Sequence, residues 1–255
     1  LAIALCVSVK IAAVSDIHGN LSALEAVLAD IERRGVDLIV NLGDILSGPL
    51  LPRETAERLM ALELPTISGN HERQVLHMDP DEMGASDRYA SDTITAAQRD
   101  WIRALPPVMR PATDVFMCHA TPQNDVDCYL EDIVDGELRP ASLRAIEERT
   151  GSCDAALILC GHSHIPRLSR LHSGQIIVNP GSVGIQAYDG HHPAPHTVEI
   201  GSPHGRYAIA EHASGRWTVE FIAVSYDWDA AAQLALARGR DDWVRALRTG
   251  FVRAP

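Results

Sequence analysis

The sequence predicts an α/β fold, and three observations carry that reading. Short apolar runs without alternation recur along the chain, the pattern of strands covered on both faces. Amphipathic segments of helical period lie between them. Six of the apolar runs end in Asp, His, Asn or Gly, and in open α/β sheets ligands bind beyond the carboxyl ends of the strands.

In chain order, the first strand is Ile11 to Val14, leading to Ser15 and Asp16. A helix follows, with Leu21, Leu24, Val27, Leu28 and Ile31 on one stripe, Asn20 as N-cap and Gly35 as stop. Leu38 to Val40 is a strand leading to Asn41, Gly43 and Asp44. Pro52 to Leu62 is a helix that accepts proline in its first turn. Pro65 to Ile67 is a short strand before Ser68, Gly69 and Asn70. Thr95 to Leu105 and Leu138 to Arg149 are expected as helices. Val115 to Cys118 ends at His119, Ala155 to Cys160 at Gly161 and His162, and Gln175 to Val178 at Asn179 and Pro180.

Past residue 165 the pattern is of strands joined by turns: Leu168 to Leu171, Tyr207 to His212 and Trp217 to Val224, with hairpin signals at Ser173-Gly174 and Ser214-Gly215. Residues 227–249 return to helix. Leu76 to Ser91, Pro122 to Gly136 and Gln186 to Arg206 are expected as loops over a site. No linker separates two cores, so residues 1–255 are expected to form a single domain, with a core over 9–225 and a helical tail over 227–250.

Composition limits the function. The 255 residues are 46% hydrophobic and 22% charged, as in an ordinary globular chain. A net charge of −12 disfavours long nucleic acids and anionic membranes, which need a basic patch. Lys10 is the sole lysine, so a lysine Schiff base and a G-x-x-x-x-G-K-[ST] phosphate loop are excluded. The five cysteines, Cys6, Cys118, Cys128, Cys153 and Cys160, form no C-x-x-C and read as free thiols in a reducing, cytoplasmic compartment. Leu1 to Val9 is too short to span a bilayer and reads as a strand extension or as residues upstream of the natural start.

Single motifs are weak: about one D-x-H, like Asp16-Ile17-His18, is expected by chance, and Gly43-Asp44 is no rarer. Gly69-Asn70-His71-Glu72 is expected only about 0.001 times and Gly161-His162-Ser163-His164 about 0.04 times. Their order, each after a strand, is the strong signal. Imidazole, carboxylate and amide oxygen together suit divalent Mn, Fe or Zn. Residues two apart, as in His162 and His164, share a face on a straight strand but diverge to two ions on a tight loop.

With His119, these blocks resemble the five signature blocks of the calcineurin-like metallophosphoesterases, in particular the small prokaryotic phosphodiesterase-like branch. The likeness extends to Asn179-Pro180-Gly181-Ser182 and covers residues 10–185. It implies a four-layer α/β/β/α sandwich, two mixed β-sheets flanked by helices, with a dinuclear metal centre. By the resemblance Asp16, His18 and His164 hold one ion, Asn70, His119 and His162 hold the other, and Asp44 bridges both. His71 is not a ligand and serves as general acid. The implied cofactors are two divalent ions, Mn, Fe or Zn, with Ni also admitted. The implied reaction is hydrolysis of a small phosphodiester or phosphomonoester by in-line attack of a metal-bridging hydroxide. Nucleoside polyphosphate hydrolysis of the diadenosine tetraphosphate type uses the same centre, and a non-catalytic interaction scaffold is the remote third reading. The expected partner is the small phosphoester, and a homo-oligomer is left open.

Other residues have plainer readings. Asp16 and Asp44 also suit helix N-caps, and Asn70 suits a turn. Glu72 either orients His71 or complements a helix dipole. Asn179 to Ser182 is first of all a turn. His191, His192, His196, His204 and His212 read as a solvated loop, and Arg73, Arg88 and Arg167 as candidate phosphate contacts.

Overall fold

A computed structural model of the chain describes residues 8–253. The expectations for Cys6 and most of the apolar N-terminus therefore lie outside the described residues. Strand β1 (Val9–Val14) leads into α1 (Leu21–Arg34). The Asn20 side chain accepts a hydrogen bond from the Ala23 amide, and Gly35 ends the helix at φ 61°. Then come β2 (Leu38–Asn41), α2 (Pro52–Leu62), α3 (Asn70–His77), α4 (Ala85–Thr93) and α5 (Ala96–Ala104). They are followed by β3 (Val108–Ala112), β4 (Val115–Cys118), β5 (Glu131–Val134), β6 (Glu137–Pro140), α6 (Leu143–Thr150) and β7 (Leu157–Leu159). The chain continues through β8 (Arg167–Arg170), β9 (Ile176–Asn179), β10 (Ala187–Gly190), β11 (His196–Glu199), β12 (Gly205–Ala213) and β13 (Arg216–Val224), and ends in α7 (Trp228–Ala237) and α8 (Asp241–Thr249).

Two mixed sheets form the frame, in the orders β13-β12-β1-β2 and β3-β4-β7-β9-β8. β1 runs parallel to β2, and β4, β7 and β9 are mutually parallel. The carboxyl ends of neighbouring parallel strands therefore meet at one edge. Successive residues face opposite ways along a strand. Ile11 and Ala13 of β1 share a core with Leu157 and Leu159 of β7, while Ala12 and Val14 pack with Leu24, Val27 and Ile31 of α1. Ile158 of β7 and Ile177 of β9 pack instead with Ile146 of α6. Runs that bury both faces cannot alternate, which is why these strands read as continuous apolar stretches.

Several expectations are corrected. A third sheet, β10-β11-β6-β5, occupies parts of the two expected loops Pro122–Gly136 and Gln186–Arg206. Leu138–Arg149 begins as strand β6, and Ser142 caps a shorter α6 by accepting from the Ala145 amide. Proline at position 140 has no N–H and closes the strand. Leu76–Ser91 is partly helical rather than a loop. Pro65–Ile67 makes only one isolated bridge, between Asn41 and Thr66. The tail is two helices, folded back so that Ala231, Ala235, Trp243 and Leu247 pack on Leu50, Ile185 and Ala187. Cys118, Cys128, Cys153 and Cys160 are unpaired. Among the described residues no helix is long and apolar enough to cross a membrane.

Leu159 is fully buried in the core shared by both main sheets. Leu159→Ala should lower unfolding free energy by about 2–5 kcal/mol, measured by urea denaturation; a loss below about 1 kcal/mol would contradict this packing.

Candidate metal centre

The strand ends converge because the backbone turns sharply at each of them. Asp16, His18, Asp44, His162 and His164 all have positive φ, between 52° and 69°. Left-handed backbone costs a non-glycine residue about 1–3 kcal/mol, and it concentrates at functional sites. Backbone hydrogen bonds lace these turns together: the Asp16 amide donates to Gly43, the His18 amide to Asp44 and the Gly161 amide to His119. Gly161 is required by close approach, since a Cβ there would lie 2.0 Å from Ser15 Oγ and 2.9 Å from Asp16 Oδ2. Gly69 is required likewise, with Asp44 Oδ1 2.2 Å from its would-be Cβ.

Glu72 is buried beneath this edge and does not touch His71, so the expectation that it orients that ring is set aside. Its carboxylate accepts from the amides of Asp44, Ile45 and Gly69, each at 2.8 Å. One side chain thereby fixes the Asp44 turn against the start of α3. Burial, with the Asp44 charge, pushes its carboxyl upward, and the Gly69 and Ile45 amides pull it back. Asn179 and Ser182 brace the same edge. Asn179 Nδ2 donates to the Gly161 carbonyl at 2.6 Å and to Ser163 Oγ at 3.0 Å, and Ser182 Oγ donates to the Asp16 carbonyl at 2.7 Å. Neither Asp16 nor Asp44 stands at an N-cap position, although Asp44 Oδ1 accepts from the His71 amide in the first turn of α3 at 3.0 Å.

All eight residues expected at the site come together. Two groups of side chains could each hold a metal ion: Asp16, His18 and His164, and Asp44, His119 and His162. In the first, His18 Nε2 lies 3.2 Å from His164 Nε2, which lies 3.4 Å from Asp16 Oδ1. In the second, His119 Nε2 lies 3.1 Å from Asp44 Oδ2. Asn70 Oδ1 joins that group, 3.2 Å from His119 Nε2 and 3.0 Å from His162 Nδ1.

The second nitrogen of three of these rings meets a backbone carbonyl. His18 Nδ1 lies 2.7 Å from the Ser47 oxygen, His119 Nδ1 2.8 Å from Leu42 and His164 Nδ1 2.9 Å from Ile185. A carbonyl only accepts, so each Nδ1 carries a proton, and each ring in its neutral form turns an Nε2 lone pair inward. In that form the lone pairs of His18 and His164 face each other and the Asp16 carboxylate with no proton between them. Asp16 Oδ2 is buried without any hydrogen-bond partner. A cation resolves this arrangement, and the mixed nitrogen and oxygen donors fit a divalent ion of the Mn, Fe or Zn kind.

Two of the rings are held neutral. Burial, then the neighbouring His164 and His71, pulls His18 down to about 4, and burial with the neighbouring His119 does the same to His162. Both rings are therefore neutral donors. Burial acts against the Asp44 carboxylate, but the neighbouring His119 and His71 outweigh it and hold its pKa well below the usual range. His119 goes the other way: burial would lower it, but the adjacent Asp44 carboxylate outweighs burial and raises it to about 10, so without a cation its Nε2 shares with Asp44 a proton that a bound ion would displace.

His71 stands apart from both groups. Its Nδ1 is 2.7 Å from Asp87 Oδ1, and its Nε2 is 3.9 Å from Asp44 Oδ2. Asp87 was not legible as a site residue, because α4 returns to α3 by tertiary packing and no spacing rule announces it. A cavity of about 410 Å³ opens here, lined by His18, His71, His164, Tyr188, Arg240 and Trp243 among others. His191 also lines it and is exposed, as its reading as a solvated residue expects, whereas His196 is buried at the start of β11. Arg73, Arg88 and Arg167 are instead paired with Asp125, Asp92 and Glu131 and do not line the cavity.

The chain belongs to the calcineurin-like phosphoesterase superfamily, whose domain pattern matches residues 9–200. It is accordingly a metallophosphoesterase, a hydrolase of phosphoester bonds whose family binds divalent metals. The chain is similar to a metallophosphoesterase of Sphaerobacter thermophilus, with a TM-score of 0.73 and 26% identity over 94% of this chain and 98% of that one. It is also 28% identical over 260 residues to an uncharacterized protein of Methanocaldococcus jannaschii, covering 92% of this chain and 95% of the relative.

Removing the Glu72 carboxylate strands three buried N–H groups. Glu72→Ala should cost at least about 3 kcal/mol in urea unfolding, with Glu72→Gln recovering part of it. Equal stability of Glu72→Ala and wild type would contradict the bracing role.

Proposed function

We propose that the protein hydrolyses a small phosphodiester or phosphomonoester at a dinuclear centre. Asp16, His18 and His164 would hold one divalent ion, Asn70, His119 and His162 the other, and Asp44 would serve both. The observation that carries this reading is the meeting of unprotonated ring nitrogens and buried carboxylates beside a ring that joins neither group. Two bound divalent ions would neutralise charge on the phosphoryl oxygens and lower the pKa of water.

The remaining chemistry belongs to side chains. Asp87 fixes the proton of His71 on Nδ1 and favours the imidazolium, so Nε2–H can be given to the departing oxygen as the ester bond breaks. The side chain of His71 is 28% exposed, whereas that of Asp44 is 2% exposed, which sets the ring within reach of substrate and the carboxylate beneath it. The reading also includes the four-layer α/β/β/α stacking, supported by the apolar core common to both main sheets and the helices on their other faces. It treats the chain as one domain, since the C-terminal helices pack on Leu50 and Ile185.

Turnover of bis-p-nitrophenyl phosphate and p-nitrophenyl phosphate with Mn, Fe, Zn or Ni tests the proposal, and no turnover with any of them would overturn it. His71→Ala should keep the metal content and lose about 10²–10⁴ in kcat on a poor leaving group. Asp87→Asn should show a smaller loss of the same kind. An unchanged rate in His71→Ala would remove its role as the acid. Asp44→Asn should lose bound metal, measured by elemental analysis after gel filtration; wild-type metal content in that variant would contradict the shared-ligand role.

A further inference from the structure

Helix α8 and the residues flanking it lie beyond the residues matched by the superfamily pattern, yet they complete the cavity wall. Trp243 presents an edge to the cavity from the apolar cluster of α7 and α8, 7% exposed. Its indole meets the His18 ring edge-on, with centroids 6.3 Å apart. Gly48 makes room for it, because a Cβ there would lie 2.9 Å from Trp243 Cη2. Tyr188 stands on the other side of the ligand histidines, 4.7 Å from His164 between centroids. Ile185, Ala187 and Val252 add apolar surface to the same wall.

The polar part of this wall is already occupied. Arg240 donates from Nε and Nη2 to Asp242, at 2.9 and 2.6 Å, and from Nη1 to Ser86 Oγ at 2.9 Å. Its guanidinium also sits 5.6 Å from the Trp243 ring centroid. Little of it is left for an incoming anion, and Asp189 and Asp242 put carboxylate oxygens, each beside an arginine, in the lining. Away from the histidines, then, the cavity offers aromatic and aliphatic surface without spare positive charge. A chain of further phosphates would meet carboxylates there. A planar, uncharged group would meet Trp243 and Tyr188.

We propose that Trp243 makes this wall a specificity pocket for phosphoesters carrying an aromatic or similarly planar, uncharged organic group, at the expense of polyphosphorylated ones. This rests on the phosphoesterase reading above. Arg240 acts as a positioning residue, holding Trp243 from one side and α4 from the other.

The test uses the metal-loaded full chain and two pairs of probes. Phenylphosphonate and methylphosphonate differ only in the organic group, and their dissociation constants are read by calorimetry. Bis-p-nitrophenyl phosphate and methyl p-nitrophenyl phosphate share a leaving group, so the ratio of their kcat/KM values reports the second ester group. Wild type should prefer the aryl member of each pair by about tenfold or more. Trp243→Leu should bring both ratios to within about threefold of one, and Trp243→Phe should keep most of the preference. Equal binding of the two phosphonates by wild type would overturn the proposal, as would an aryl preference intact in Trp243→Leu. Tighter binding of pyrophosphate than of phenylphosphonate would also overturn it. Should Trp243→Leu fail to fold, the wild-type phosphonate ratio and Trp243→Phe still decide. Absence of turnover of both esters would count against the phosphoesterase reading, and the phosphonate ratio would stand apart from it.

Discussion

Three backbone carbonyls fix the chemistry of this protein. The oxygens of Leu42, Ser47 and Ile185 each hold the Nδ1 proton of a histidine, and so each of those rings turns its Nε2 toward buried carboxylates. Leu42 follows β2, Ser47 lies in the turn beyond Asp44, and Ile185 precedes β10. The histidines they orient come from the ends of β1 and β4 and from the loop after β7. No one segment of chain could build the arrangement. It needs two sheets whose parallel strands end at the same edge, and this is what the core shared by β1, β2, β4, β7 and β9 provides.

The cost of that geometry is local. Five residues of the centre adopt left-handed backbone, and their side chains concentrate lone pairs at the floor of the cavity. Rigid surroundings sustain it. Glu72 ties the Asp44 turn to α3 with three hydrogen bonds, and Asn179 and Ser182 tie the loops after β7 and β1 to the segment after β9. A divalent cation in either group would turn these repulsions into attraction, so the strained edge and the need for metal are two aspects of one design.

Much of this was legible in the sequence, because it depends on short-range rules. Asn20 and Gly35 bound α1 for the reasons that cap any helix, and Pro52 opens α2 as expected. The Asp, Asn and His blocks stand at strand ends, where the apolar runs stop. What escaped notice depends on distant parts of the chain. Asp87 reaches His71 only because α4 folds back on α3. Trp243 reaches His18 only because the C-terminal helices dock on Leu50 and Ile185. The third sheet was hidden because its strands are short and partly exposed, with proline and histidine where apolar residues would have marked them. Of the two readings of Glu72, the acid in the first turn of a helix holds and the partner of His71 does not, because α3 turns its carboxylate the other way, onto backbone amides.

The account stands or falls on where cations bind. The most direct measurement is anomalous X-ray diffraction from crystals grown with Mn²⁺, collected at the manganese edge. The account predicts two peaks per chain, one among Asp16, His18 and His164 and one among Asn70, His119 and His162, with Asp44 beside both and His71 beside neither. A single peak, or a peak ligated by His71, would contradict it.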